Sequence, residues 1–230
     1  MKKQTTQIGG RDVLLYTTDE APKALLIQTL GKQELGIIDH EVEMIQGAVF
    51  TPFVMAAFAI GDWEVELTPW HDPEVSDRKE VGENALETLE YVTDKLIPVL
   101  IAKFGSKPVI IGGYSLGGLF SRWAVSESEC FTAAACCSPS LWINAWQGFS
   151  VTHQVFARFV YLSLGDSEEF TKNKAIAQVG NNIRWEYEHL KNAVGSSNCT
   201  LEWNRGNHFR DGAGRMAKGF SWCLNKLYLS

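Results

Sequence analysis

No apolar run of about 18 residues occurs anywhere in the 230-residue chain, so no membrane-spanning helix is expected. Met1-Lys2-Lys3 is followed by Gln4, Thr5, Thr6 and Gln7, where a secretory signal would place its apolar stretch. The cytoplasm is therefore the expected compartment. Positive charge is in short supply: 21 Lys and Arg stand against 27 Asp and Glu, a net charge of −6. That balance runs against the basic surface of a nucleic-acid binder. The five cysteines are odd in number, and Cys136 and Cys137 are adjacent within an apolar run. With no Cys-x-x-Cys pair, neither a zinc site nor a redox dithiol is expected, only reduced and mostly buried thiols. No metal-ligand cluster and no phosphate-binding glycine loop occurs, and no cofactor is expected. Internal repeats, low-complexity tracts and linkers are absent as well.

What is present fits a single globular domain over residues 1–230. Hydrophobic residues make up 45% and charged residues 21%, enough for a substantial core. Strand-like and helix-like segments alternate with short connections, the pattern of a mostly parallel α/β sheet with helices on both faces. Strands are expected at 12–17, 24–30, 50–60, 108–112, 132–137, 159–164 and 199–203. Helices are expected at 34–46, 83–104, 173–192 and 212–229, with Pro98 a kink or end of the second. The stretch 62–82 reads as a long connection without periodicity, and such loops in compact domains tend to be functional.

The stretch with most chemical content is Val109-Ile110-Ile111-Gly112-Gly113-Tyr114-Ser115-Leu116-Gly117-Gly118. A buried strand leads into Gly-x-Ser-x-Gly, and a helical pattern through Leu119 and Trp123 follows. This is the context of a nucleophile elbow on an α/β-hydrolase sheet. The turn lifts the Ser115 hydroxyl clear of the sheet and brings strand and helix so close that only small neighbours fit. The Leu116 amide then falls in the first helical turn, where it has no intrahelical acceptor and can meet an oxyanion.

A serine hydroxyl needs a base within hydrogen-bond reach, and the base needs an orienting group. On this fold the order is Ser, then acid, then His, the last two in loops after later strands. His40, His153 and His189 fall in or beside helical or uncertain segments, and His71 precedes the serine. His208, in Asn204-Arg205-Gly206-Asn207-His208-Phe209 after the last strand, is where the base belongs. The acid belongs after strand 159–164, where Gly165-Asp166-Ser167-Glu168-Glu169 offers three carboxylates. Their chemistry does not choose among them, and each is also a candidate helix cap.

Over about residue 24 to the C-terminus, the chain resembles the esterase D-like group of α/β-hydrolases. That group includes S-formylglutathione hydrolases, feruloyl esterases, siderophore esterases and mycolyltransferases. The resemblance rests on Asp62-Trp63 with Leu67-Thr68-Pro69-Trp70, on Gly112 to Gly118, and on Ser138-Pro139-Ser140-Leu141-Trp142. It also rests on Gly165-Asp166-Ser167-Glu168 and Gly206-Asn207-His208-Phe209. It implies Glu168 as the acid, from the Gly-x-x-Asp/Glu register, with Asp166 second. It implies a second oxyanion donor after an early strand, near Leu30 and Gly31.

Eight tryptophans are many for this length. Trp63, Trp70 and Trp142 fall in expected loops at the C-terminal edge of the sheet, where ligands bind in open α/β folds. With Tyr114 beside the serine they are candidates for lining a substrate cleft; as an alternative, each tryptophan anchors a loop into the core. The resulting expectation is a serine esterase acting on a small-molecule ester. An acyltransferase with the same triad, or a catalytically silent binding module for a carbohydrate or aromatic ligand, are the competing readings.

Overall fold

A computed structural model describes residues 1–18, 20–32, 34–76, 78, 82 and 84–228. Its centre is an eight-stranded sheet of order β1-β2-β4-β3-β5-β6-β7-β8. The strands are β1 (Lys2–Ile8), β2 (Arg11–Thr17), β3 (Ala24–Leu30), β4 (Phe53–Ala59), β5 (Val109–Tyr114), β6 (Ala133–Cys137), β7 (Phe159–Gly165) and β8 (Cys199–Asn204). From β4 through β8 every neighbouring pair is parallel, while β1–β2 and β2–β4 are antiparallel. The expected α/β-hydrolase sheet is thus present, with an antiparallel ribbon on one edge.

Parallel strands covered on both faces read as continuous apolar runs. β3, Ala-Leu-Leu-Ile-Gln-Thr-Leu, is buried at every position. Successive residues still divide between two cores, as the period of two demands. Val109 and Ile111 of β5 join one cluster and Ile110 the other. The helices α1 (Ile38–Ala48) and α8 (Gly212–Tyr228) cover the Ile110 face through Ile38, Val42, Ile45, Met216 and Phe220. The opposite face carries α3 (Ala85–Tyr91), α4 (Ile97–Phe104), α5 (Leu116–Glu127) and α7 (Val179–Ala193). Two shorter α-helices are α2 (Trp63–Leu67) and α6 (Trp146–Thr152).

The elements differ in detail from those expected. The helix expected at 83–104 is present and runs unbroken from Ala85 to Phe104, with a π-helical turn at Val92–Leu96 joining α3 to α4. Pro98 follows directly on this π-helical turn and does not end the helix, which runs on to Phe104. β1 was not expected because its residues are polar and largely exposed; only Ile8 is buried. It is held by a two-residue turn at Gly9 and Gly10, both at positive φ, which sets Ile8 against Arg11. Its lysines protect an exposed sheet edge. The connection from 62 is not structureless, since Asp62 caps α2 by accepting the Val65 N–H at 3.2 Å. All five cysteines are free, with Cys130 exposed and the others buried.

The candidate active site

Ser115 follows β5 and caps α5 at φ 58°, ψ −121°. Such a backbone is strained for a residue with a Cβ and is held by its surroundings. The Ser115 N–H donates to the Cys137 carbonyl at 3.0 Å, and the Ser115 carbonyl accepts from Ser140 at 3.2 Å. The glycines of the motif are required by contact. A Cβ on Gly113 would collide with the Gly117 carbonyl, and one on Gly117 would collide with the Thr29 hydroxyl. Leu116 is the first residue of α5, so its N–H has no acceptor within the helix.

The ends of three more strands converge on this serine. His208 follows β8, and its Nε2 lies 3.0 Å from Ser115 Oγ. Glu168 follows β7, and its Oε2 lies 2.7 Å from His208 Nδ1. The other carboxylate oxygen, Oε1, accepts from the Gly165 N–H at 2.7 Å, Ser138 Oγ at 2.7 Å and Arg215 Nη1 at 2.6 Å. Burial pushes the Glu168 carboxyl up. The hydrogen bond and charge of His208, with Ser138 and the Gly165 N–H, outweigh it and hold the group below its ordinary value. Asp166 stands elsewhere: it is exposed, and its Oδ1 accepts the Gly206 N–H at 2.8 Å, bracing the loop that carries His208. Glu169, the third carboxylate of the segment, pairs with Arg184 at 2.7 Å.

Tyr114 also braces His208. Its hydroxyl donates to the His208 carbonyl at 2.8 Å, and the two rings lie 5.3 Å apart. Burial first of all raises the Tyr114 pKa to about 12, so the phenol keeps its proton. Arg215 and Ser138 are the site residues that sequence reasoning assigned no role. Arg215 is 1% exposed within α8, with Nη2 donating to the Asn207 carbonyl at 2.9 Å. An arginine on the buried stripe of an otherwise apolar helix face, one residue before Met216, was the available signal. Ser138 opens Ser138-Pro139-Ser140-Leu141-Trp142, and its positive φ of 42° marks a second strained turn at the site.

A cavity of about 810 Å³ opens beside Ser115 and His208, a size suited to a small organic molecule. Trp63 and Tyr114 line it, as do Gly31, Glu34, Glu41, Ile37 and Phe209. Trp63 does so from the first turn of α2 rather than from a loop. Trp70 and Trp142 do not line it. The Trp70 ring stacks on Trp146 at 6.4 Å and packs on Phe149 at 5.6 Å, and its Nε1 donates to the Asn144 carbonyl at 2.9 Å. Trp142 is partly buried against the same core. Both pack against the core from the connections that carry them. Gly31 follows β3, and its N–H faces the Glu34 carboxylate. A Cβ there would stand 2.6 Å from Glu34 Oε2 and 2.9 Å from the Trp63 ring.

No protein-family model matches the chain, and no curated protein matches it in sequence. Solved structures do match in shape. An IroE-like serine hydrolase from Shewanella oneidensis aligns with a TM-score of 0.78 at 10% identity, covering 100% of this chain and 82% of its own. The siderophore hydrolase EstB from Aspergillus nidulans aligns at 0.74 with 15% identity, covering 96% and 93%. The enterobactin esterase FES from Shigella flexneri aligns at 0.69 with 15% identity, covering 99% of this chain and 60% of its own. The chain has the α/β-hydrolase fold. Among the described residues no helix is long and apolar enough to cross a membrane.

Proposed function

We propose that the chain is a serine esterase that hydrolyses a small-molecule carboxylic ester through an acyl-enzyme. Support comes from one observation above all: the hydrogen-bonded series Ser115 Oγ, His208 Nε2, His208 Nδ1, Glu168 Oε2, with steps of 3.0 and 2.7 Å at strand ends facing a cavity. Ser115 Oγ attacks the ester carbonyl carbon while its proton passes to His208 Nε2. The resulting oxyanion accepts from the Leu116 N–H, with Gly31 as second donor once Glu34 turns aside. The tetrahedral adduct collapses, its C–O bond breaks, and His208 returns the proton to the departing alkoxide. Water then attacks the acyl carbon, again giving a proton to His208, and the acid leaves as Ser115 recovers its hydrogen. Glu168 holds the imidazole in one tautomer and stabilises its charged form. The esterase and hydrolase names of the similar structures agree with this chemistry.

A fluorophosphonate probe tests the assignment. It should label the protein covalently at Ser115, and a panel of aryl and alkyl esters should be turned over by the same protein. Labelling elsewhere, or none, together with no turnover across the panel, would favour a binding module instead.

A further inference from the structure

The cavity lining is carbon around His208. Tyr114 and Phe209 flank the imidazole, with ring centroids 5.3 and 5.4 Å from it. Ile37, the residue before α1, and Gly212, the first residue of α8, line the same cavity. The Tyr114 hydroxyl is already committed to the His208 carbonyl, Ser138 and Arg215, so Tyr114 offers a ligand only its ring. Phe209 is 85% exposed and Ile37 39%. Single exposed apolar residues are ordinary, but two large ones at the mouth of one cavity form a surface that a ligand can cover. Gly212 leaves a gap in that surface. A Cβ there would stand 3.8 Å from Ile37 Cδ1 and 3.9 Å from Tyr114 Cε2, in ordinary contact with both. Unlike Gly113 and Gly117, this glycine is required neither by a clash nor by a left-handed backbone, and alanine is the better helix former. What the missing side chain does is keep a slot open between an aliphatic and an aromatic wall.

We infer that the slot over Gly212, bounded by Ile37, Tyr114 and Phe209, receives an apolar aryl or branched alkyl group on the alcohol side of the ester. The assignment of side rests on the esterase reading; the slot itself stands on the cavity lining. The side follows from the proton. The departing alkoxide takes its hydrogen from His208 Nε2, so its oxygen comes within about 3 Å of that atom. A substituent on that oxygen then extends over the groups that flank the imidazole, which are Tyr114 and Phe209. A charged or strongly hydrated alcohol would give up water against carbon with no partner in exchange, and is disfavoured.

Two isomeric esters test this. Benzyl acetate and methyl phenylacetate have the same atoms and leaving alcohols of similar basicity, but carry the phenyl ring on the alcohol side and the acyl side respectively. Benzyl acetate should have the higher kcat/KM by at least about tenfold. Gly212→Val fills the slot and should lower the ratio of the two kcat/KM values at least about fivefold. Phe209→Ala should lower it similarly, and its exposed position keeps the test open if valine disturbs the fold. Taking the ratio cancels any effect on His208 that the two esters share. Equal turnover of the isomers, a preference for methyl phenylacetate, or a ratio indifferent to both substitutions would overturn the slot, while Ser115-dependent turnover would leave the esterase standing. Should neither ester be turned over, the slot is read by binding, and fluorophosphonate labelling of Ser115 decides the esterase separately. Benzyl alcohol is then titrated into the purified protein and followed by ligand-observed NMR. Saturable binding that Gly212→Val weakens at least about fivefold would keep the slot as an apolar site. No saturable binding, or binding indifferent to that substitution, would overturn it.

Discussion

Arg215 Nη1 lies 2.6 Å from Glu168 Oε1, so the carboxylate that faces His208 is gripped from behind by the last helix. One oxygen of Glu168 is thereby left for the imidazole, and the same guanidinium ties the Asn207 carbonyl next to His208. The loops after β7 and β8 are fixed to each other through one buried cation. Removing it strands a buried carboxylate, a change that costs far more than one hydrogen bond.

Arg215→Met should therefore act on turnover as well as on stability. We expect kcat to fall about tenfold or more with KM changed less, because the effect reaches the substrate only through Glu168 and His208. Arg215→Lys, which keeps one donor, should recover part of the loss. A proportional fall in the amount of folded protein with unchanged kcat per active site, counted by fluorophosphonate titration, would make Arg215 structural only.

Ser115→Ala should abolish probe labelling and lower ester hydrolysis by at least about 10³-fold. His208→Ala should lose a similar factor, and the double variant little more than either. Members of one relay lose their whole contribution together. Additive losses in the double variant would mean that the two side chains act separately.

The acid is decided by comparing neighbours. Glu168→Gln keeps shape and removes the charge facing His208, and should lower kcat by about 10²–10⁴-fold. Asp166→Asn should leave kcat nearly intact, because an amide oxygen can still accept the Gly206 N–H. Damage confined to the Asp166 variant would move the acid role to that residue.

What the residues alone revealed follows physical lines. The elbow was legible because close approach at Gly113 and Gly117 and strain at Ser115 require one short pattern. His208 was legible because chain order and the last strand leave one histidine in the right loop. Glu168 needed a family register, since three adjacent carboxylates share one chemistry and differ only in where the turn points them. Arg215 and Ser138 were not legible. Their roles depend on contacts between residues 30 to 77 positions apart. The tryptophans divided for a similar reason: Trp63 lines the cavity and Trp70 and Trp142 are anchors, a distinction of burial direction that aromatic composition does not carry.

A different buried pair holds the opposite face. Arg122 of α5 and Glu186 of α7 are 2.6 Å apart with both side chains fully buried, and Trp146 Nε1 donates to the other Glu186 oxygen at 2.9 Å. Glu186→Ala leaves Arg122 uncompensated and should cost about 3–5 kcal/mol of stability. Chemical denaturation reads this directly, and a loss under about 1 kcal/mol would show that the pair is not a structural clamp.

Glu41 should leave a mark on the pH dependence of stability. Its ordinary value of 4.5 is raised to about 8, first by burial and further by the charge of Glu34, against the hydrogen bond from Gln28. In the unfolded chain the carboxyl ionises near its ordinary value, while in the folded protein it keeps its proton to about 8. Between those limits the folded state binds more protons, so stability falls as pH rises, by up to about 1.4 kcal/mol per unit from this group. Below the lower limit both states are protonated and the effect vanishes; above the upper limit the loss is complete and constant. Glu41→Gln removes the titration while keeping an oxygen to accept from Gln28. The Tm of the variant minus that of the parent should therefore climb from pH 5 to pH 8 and then level off. Taking the difference at each pH cancels the other titrating groups, which the two proteins share. A difference that is flat across this range would mean that Glu41 ionises in the folded protein much as it does in the unfolded chain.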